Sequence, residues 1–261
     1  MRGDSRSPPR TDDGGMREHL LVSLLLASGC LDAVDDEPQT EPIGKITANS
    51  LMPSQIVTSS LGLAPLSPAA LTASHLVDTA DGRMYVSYLI KCTMPFNTTY
   101  SAPQSTSPYT VWTWRGEIGL VPGWTSAAMS AADRHYVTGC MLARVNWSGT
   151  IVNISIDSPN NANLGTGDTG YGIDEGAFWG DILGGGTGSM NACIGVDQAH
   201  DPTQGDLPLR KCATATSWCN FTNWGTCTTA CTTATFPYSG CGASGSESSE
   251  VVSVKLYGTP D

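Results

Sequence analysis

The chain has 261 residues, with 13 Lys and Arg against 24 Asp and Glu and a formal net charge of −11 at pH 7. Such an acidic balance repels phosphate backbones and anionic lipid head groups, which argues against nucleic acid as a partner. A share of 40% apolar residues is enough for a real core, and the length allows one large domain or two small ones.

The first informative segment is Met16-Arg17-Glu18-His19, then the apolar run from Leu20 to Ala27, then Ser28-Gly29-Cys30. A run of about eight residues matches a signal-peptide centre and falls far short of the roughly 20 that span a bilayer. Residues 27–30 resemble a lipobox, so Cys30 is expected to become the acylated first residue of a mature chain, with residues 1–29 removed and Met16 as an alternative start. That expectation places the protein in a bacterial cell envelope, lipid-anchored at the outer membrane, or secreted if Cys30 is not acylated. Residues 30–54, with Asp35-Asp36-Glu37-Pro38 and Glu41-Pro42, read as a disordered acidic tether.

A helix is predicted from Ser67-Pro68 to about Val77, because serine caps and proline opens a helix. A second runs from about Thr79 to Pro95 and places Met84, Tyr85, Tyr88, Leu89 and Cys92 on one buried face. Val111-Trp112-Thr113-Trp114-Arg115 reads as a strand leading into Gly116-Glu117-Ile118-Gly119-Leu120. A third helix starts at Ser130, where Asp133 completes a capping box, and carries Tyr136, Val137, Cys140 and Met141 on one side. Both long helices set a tyrosine four residues before a cysteine on a buried face, so Cys92 is expected to pair with Cys140.

Thr150–Asp157 alternates as a half-buried strand, and Val251–Tyr257 does the same. Between them, Ser158–Gly176 reads as a long polar loop and Asp174–Asp181 as a short helix capped by its own carboxylates. The fold class expected is α+β, with helices packed on a small antiparallel sheet. The core domain is set at residues 55–205 and a disulfide-rich, loop-rich lobe at 206–261, its last strand joining the core sheet.

Apart from Cys30, eight cysteines remain: Cys92, Cys140, Cys193, Cys212, Cys219, Cys227, Cys231 and Cys241. An even set in an exported chain reads as a disulfide framework, and eight cysteines allow about 105 pairings. No Cys-x-x-Cys and no finger-type Cys/His spacing is present, so no metal is expected, and no cofactor motif is present either.

Tyr88-Leu89-Ile90-Lys91-Cys92, Gly116–Leu120 with Pro122 and Trp124, Cys140–Asn146, Glu175–Gly180, Ala192-Cys193-Ile194-Gly195 and the cysteine-dense tail together resemble a group of uncharacterised exported proteins and lipoproteins of myxobacteria and related bacteria. The resemblance spans most of residues 60–257. It implies export and crosslinking, and it lends no catalytic residues, since no activity is assigned to that group.

Three functions fit. The first is a non-enzymatic surface interaction or binding module, whose partner is a glycan or another envelope protein and whose contact with the membrane is the lipid alone. Trp112 and Trp114, on one strand face, would offer its stacking platform. The second is a secreted hydrolase of polysaccharide or peptidoglycan, using Glu175 with Asp174 or Asp181 as paired carboxylates. The third is a disulfide-rich inhibitor-like module in the tail. No Gly-x-Ser-x-Gly turn is present, and His135 and His75 read as structural or surface side chains.

Overall fold

The local signals of capping act as expected at both long helices. In the computed structural model, which describes residues 46–48, 50–146, 153–165, 170–197, 221–242 and 249–258, helix α1 (Pro68–Ala73) starts where the Ser67 hydroxyl accepts the Ala70 N–H. It stops short of Val77, because His75 turns left-handed and the chain tightens into a 3-10 turn at Leu76–Asp78. Helix α2 (Ala80–Thr93) is capped by Thr79, and helix α3 (Ala131–Ala143) by the reciprocal Ser130/Asp133 box. Tyr85, Tyr88, Leu89 and Cys92 are buried as predicted, whereas Met84 is 38% exposed, one step round the helix from the buried stripe. Cys92 and Cys140 are bonded, with Cα atoms 6.1 Å apart, which joins the last turns of α2 and α3.

After α2 the chain forms a hairpin, β2 (Thr99–Pro103) with β3 (Val111–Arg115), and then turns back under the helix. There the N–H groups of Ile118, Leu120 and Val121 donate to the carbonyls of Lys91, Cys92 and Thr93. Those carbonyls are among the last of α2 and have no partner within the helix. The segment 117–121 thus serves as a backbone cap for α2.

The main sheet is assembled from β1 (Ile46–Ala48), β4 (Asn153–Asp157), β5 (Ile173–Asp181), β6 (Ser189–Ile194), β7 (Thr222–Thr226) and, after the short helix α4 (Cys227–Ala230) and the ribbon β8 (Cys231–Thr233) with β9 (Ser239–Cys241), β10 (Val252–Leu256). Its order is β1-β4-β10-β5-β6-β7. Every pairing is antiparallel except β6 with β7, so the predicted α+β class holds and the predicted antiparallel sheet gains one parallel pair at its edge. Strand β10 joins the sheet as expected, and it does so in the middle.

Helix α3 lies across β5 and β10 and packs against α2. Its close approach needs Gly139, where a Cβ would stand 2.8 Å from a Val252 methyl and 3.0 Å from the Phe178 carbonyl. The opposite face of the sheet carries a second core, in which Ala177, Trp179 and Cys193 meet Cys227, Ala230, Tyr238, Cys241 and Val251. With both faces covered, β5 is buried almost end to end.

That double covering corrects several expectations. The segment 174–181 is a strand and not a capped helix, and it begins within the stretch read as a loop. In β4, Ser155 and Asp157 are buried along with Ile154 and Ile156, so the strand is not half-buried. The disulfide-rich tail packs on the sheet: Cys227, Ala230, Cys231, Tyr238 and Cys241 share the second core with it, and all described residues belong to one unit, Glu41–Asp261. The expected tether through residue 54 ends earlier. Ile46–Ala48 pairs with β4, Ser50 bonds the Tyr88 hydroxyl, and Leu51 is fully buried while exchanging backbone hydrogen bonds with Arg144 and Asn146. Among the described residues no helix is long and apolar enough to cross a membrane. The signal segment, Cys30, Cys212 and Cys219 lie outside the described residues.

Candidate functional site

Strand β5 carries all three candidate carboxylates and separates them. From Asp174 to Asp181 is seven residues, about 23 Å at strand rise, so the two ends of β5 cannot serve one cleft. Glu175 is fully buried beside the bulge at Gly176, where φ is +146° and a Cβ would come 2.2 Å from the Cys193 carbonyl. A glycoside-type pair made of Glu175 and Asp181 is therefore absent.

Asp174 lies in the second core's rim. It accepts a short hydrogen bond from the Tyr238 hydroxyl, and its own N–H donates to the Asp197 carboxylate at 2.6 Å. Burial raises its pKa to about 6, against the bonds from Tyr238 and the Val196 N–H; the Asp197 charge adds to the rise and Lys255 opposes it. The folded chain therefore holds this proton more tightly than the unfolded chain, so the group favours folding below about pH 4 and that contribution is lost as pH rises to about 6. Asp174→Asn keeps an acceptor for Tyr238 and removes the buried charge. It is expected to raise stability at pH 7 by on the order of 2 kcal/mol and to flatten the pH 4–6 slope, read by urea unfolding across that range.

Asp181, at the other end of β5, does enter a polar cluster. The capping box fixes the first turn of α3 so that Arg134 and His135 face this end of the strand. Arg134 Nε donates to Asp181 Oδ2 at 3.0 Å, and His135 Nε2 lies 3.9 Å from the same oxygen. The other imidazole nitrogen is 3.5 Å from Glu250 Oε2, and Asp181 Oδ1 accepts the N–H groups of Leu183 and Gly184. Among the described residues no hydroxyl or thiol is hydrogen-bonded to His135, while the exposed Ser249 hydroxyl donates to Glu250 Oε1 at 2.5 Å. Sequence reasoning missed the grouping, because Arg134 and Asp181 are far apart in the chain and no local pattern links them.

The tryptophan platform is turned inward. On the hairpin, Trp114 is 5% exposed and packs in the main core, while Trp112 is half-buried with the Arg83 guanidinium 4.3 Å above its ring. Val111, Thr113 and Arg115 form the outer face instead. The open stacking surface expected at Trp112 and Trp114 is not formed. Exposed apolar side chains of the hairpin are Tyr109 at 64% and Val111.

The remaining described cysteines form two bridges, Cys193–Cys227 and Cys231–Cys241, both inside the second core. Three of these sulfurs, from Cys193, Cys227 and Cys231, lie within 4.8 Å of one another, which is the donor set closest to a metal site among the described residues. All three are committed to disulfide bonds. An inhibitor-like module would need a free rigid loop between Cys212 and Cys241, and the described part of that span packs on the sheet. No protein family, curated protein or solved structure matches this chain.

Proposed function

We propose that the protein is an exported, non-enzymatic, disulfide-stapled domain held at a bacterial membrane surface by an acylated Cys30, and that it acts as an interaction module for a glycan or another envelope protein. The observation that carries this reading is the set of three disulfides whose six cysteines are all buried. Such frameworks form and persist in oxidising compartments. The lipobox-like sequence supplies the anchor, and several acyl chains on one cysteine hold a protein stably where a single chain does not. On the hairpin, the exposed Tyr109 and Val111 are the side chains offered for such a contact.

Expression with its own signal in a bacterial host tests the anchor. The parent is expected in the membrane fraction with a lipid-sized mass increment on Cys30, and Cys30→Ala in the soluble fraction at tenfold or greater enrichment. A Cys30→Ala protein that stays with the membrane as fully as the parent would overturn the anchor. A parent whose cysteines are all free would overturn the export.

A further inference from the structure

The described cysteines are not evenly spread. Cys92–Cys140 stands alone between two helices, whereas the other two bridges touch each other. Cys193 comes from β6, Cys227 opens α4, Cys231 follows α4 and begins β8, and Cys241 ends β9. Helix α4 is a single turn, which brings residues four apart to one side. Register β8–β9 then sets Cys231 directly opposite Cys241. As a result the Cys231 sulfur sits 3.8 Å from the Cys193 sulfur, although each is bonded elsewhere. That spacing is van der Waals contact between two different disulfides.

We propose that Cys193, Cys227, Cys231 and Cys241 form one thiol–disulfide exchange unit, with a second pairing, Cys193–Cys231, reached when a dithiol reductant opens either bridge. Cys231 is 8% exposed and the other three are fully buried, so the reductant enters at Cys231. Its first thiolate attacks Cys231 and expels Cys241 as thiolate. Its second thiol resolves the mixed disulfide, so the reductant leaves oxidised and two cysteine thiols remain. The Cys231 thiolate then attacks Cys193 Sγ: the Cys193–Cys231 bond forms, the Cys193–Cys227 bond breaks, and Cys227 leaves with the electron pair and takes up the proton that Cys231 released. This second step conserves the number of disulfides and needs no oxidant.

Exchange proceeds by in-line approach, and the three sulfurs as placed form a bent triangle. Opening Cys231–Cys241 releases the Cys231 side chain to rotate about its Cα–Cβ bond, which supplies the alignment. Opening Cys193–Cys227 first leads to the same product from the other side, with Cys193 attacking Cys231 and Cys241 leaving. The product ties the β8–β9 ribbon to β6 and removes the bridge within the ribbon. Contact with the main sheet is kept, and the ribbon becomes free to open.

Two opposite variants of the otherwise intact chain test the convergence. Each is held overnight at mildly alkaline pH, quenched with acid, alkylated with N-ethylmaleimide and mapped without reduction. Cys241→Ser is expected to contain Cys193–Cys231 with the label on Cys227, and Cys227→Ser the same bridge with the label on Cys241. Because one cysteine disulfide replaces another, the new bridge should lie within about tenfold of the parental one. The proposal is overturned if either variant keeps its parental bridge, with the label confined to Cys231 in Cys241→Ser or to Cys193 in Cys227→Ser. The parent chain gives an independent readout should a variant fold poorly. One equivalent of dithiothreitol is expected to yield molecules labelled on Cys227 and Cys241 together, and labelling confined to the two members of one parental bridge would overturn the exchange.

Discussion

Replacing Cys92 and Cys140 together by alanine is expected to lower stability by about 4 kcal/mol, from the chain entropy released when a loop spanning 48 residues is no longer closed. For a domain of this size that corresponds to a fall in melting temperature on the order of 10 °C. The bridge is fully buried where α2 meets α3, in the same core as Tyr88, Leu89, Val137 and Met141. The loss should therefore appear as weakened docking of the two helices with their caps intact, so that helical circular dichroism is kept while the unfolding midpoint drops. Serine in place of alanine should cost more, since each hydroxyl would need a partner in an apolar layer. A midpoint within 2 °C of the parent, whose oxidised state is checked by mass, would show that the bridge is dispensable.

The second large effect is expected at Arg144. It ends α3 fully buried, and its Nη2 donates to Glu117 Oε1 at 2.9 Å, with the Tyr88 ring 5.6 Å from the guanidinium carbon. Glu117 is set there by the segment that caps α2, so this ion pair clamps the ends of both long helices to one turn. Removing a single charge from such a buried pair leaves the other uncompensated. Glu117→Gln is expected to cost about 3 kcal/mol for that reason. Arg144→Met, similar in length and apolar, should lose the pair and keep much of the packing. Combined, the two substitutions should cost about 2 kcal/mol less than the sum of the singles, measured by denaturant unfolding of all four proteins. Simple additivity would show that the two side chains do not act as a pair.

The parts of this fold that announce themselves in sequence are those set by local chemistry. Ser67-Pro68, Thr79 and the Ser130/Asp133 box specify helix starts through bonds to backbone within three residues. Tyrosine four residues before cysteine on the buried face of both long helices points to Cys92–Cys140 once those faces pack together, and the two are bonded. Where burial depends on distant neighbours, the signal vanishes. Covered on both faces, β5 shows no alternation of apolar and polar residues, and its acidic start resembles a helix cap. Alternation along β3 puts Trp112 and Trp114 on one face without saying which face meets α2. Arg134, His135, Asp181 and Glu250 come together only through tertiary structure, as do the bridges Cys193–Cys227 and Cys231–Cys241.

The position of β10 imposes an order on folding. It follows every other described strand in the chain, yet it lies between β4 and β5 and is hydrogen-bonded to both. Without it the hydrogen-bonded order breaks into two pieces, β1 with β4 and β5 with β6 and β7, and α3 loses one of the two strands it rests on. Pairings of such long sequence separation form late and slowly, because loop closure precedes their reward. A chain built this way cannot complete its main sheet until the last of its described strands is in place.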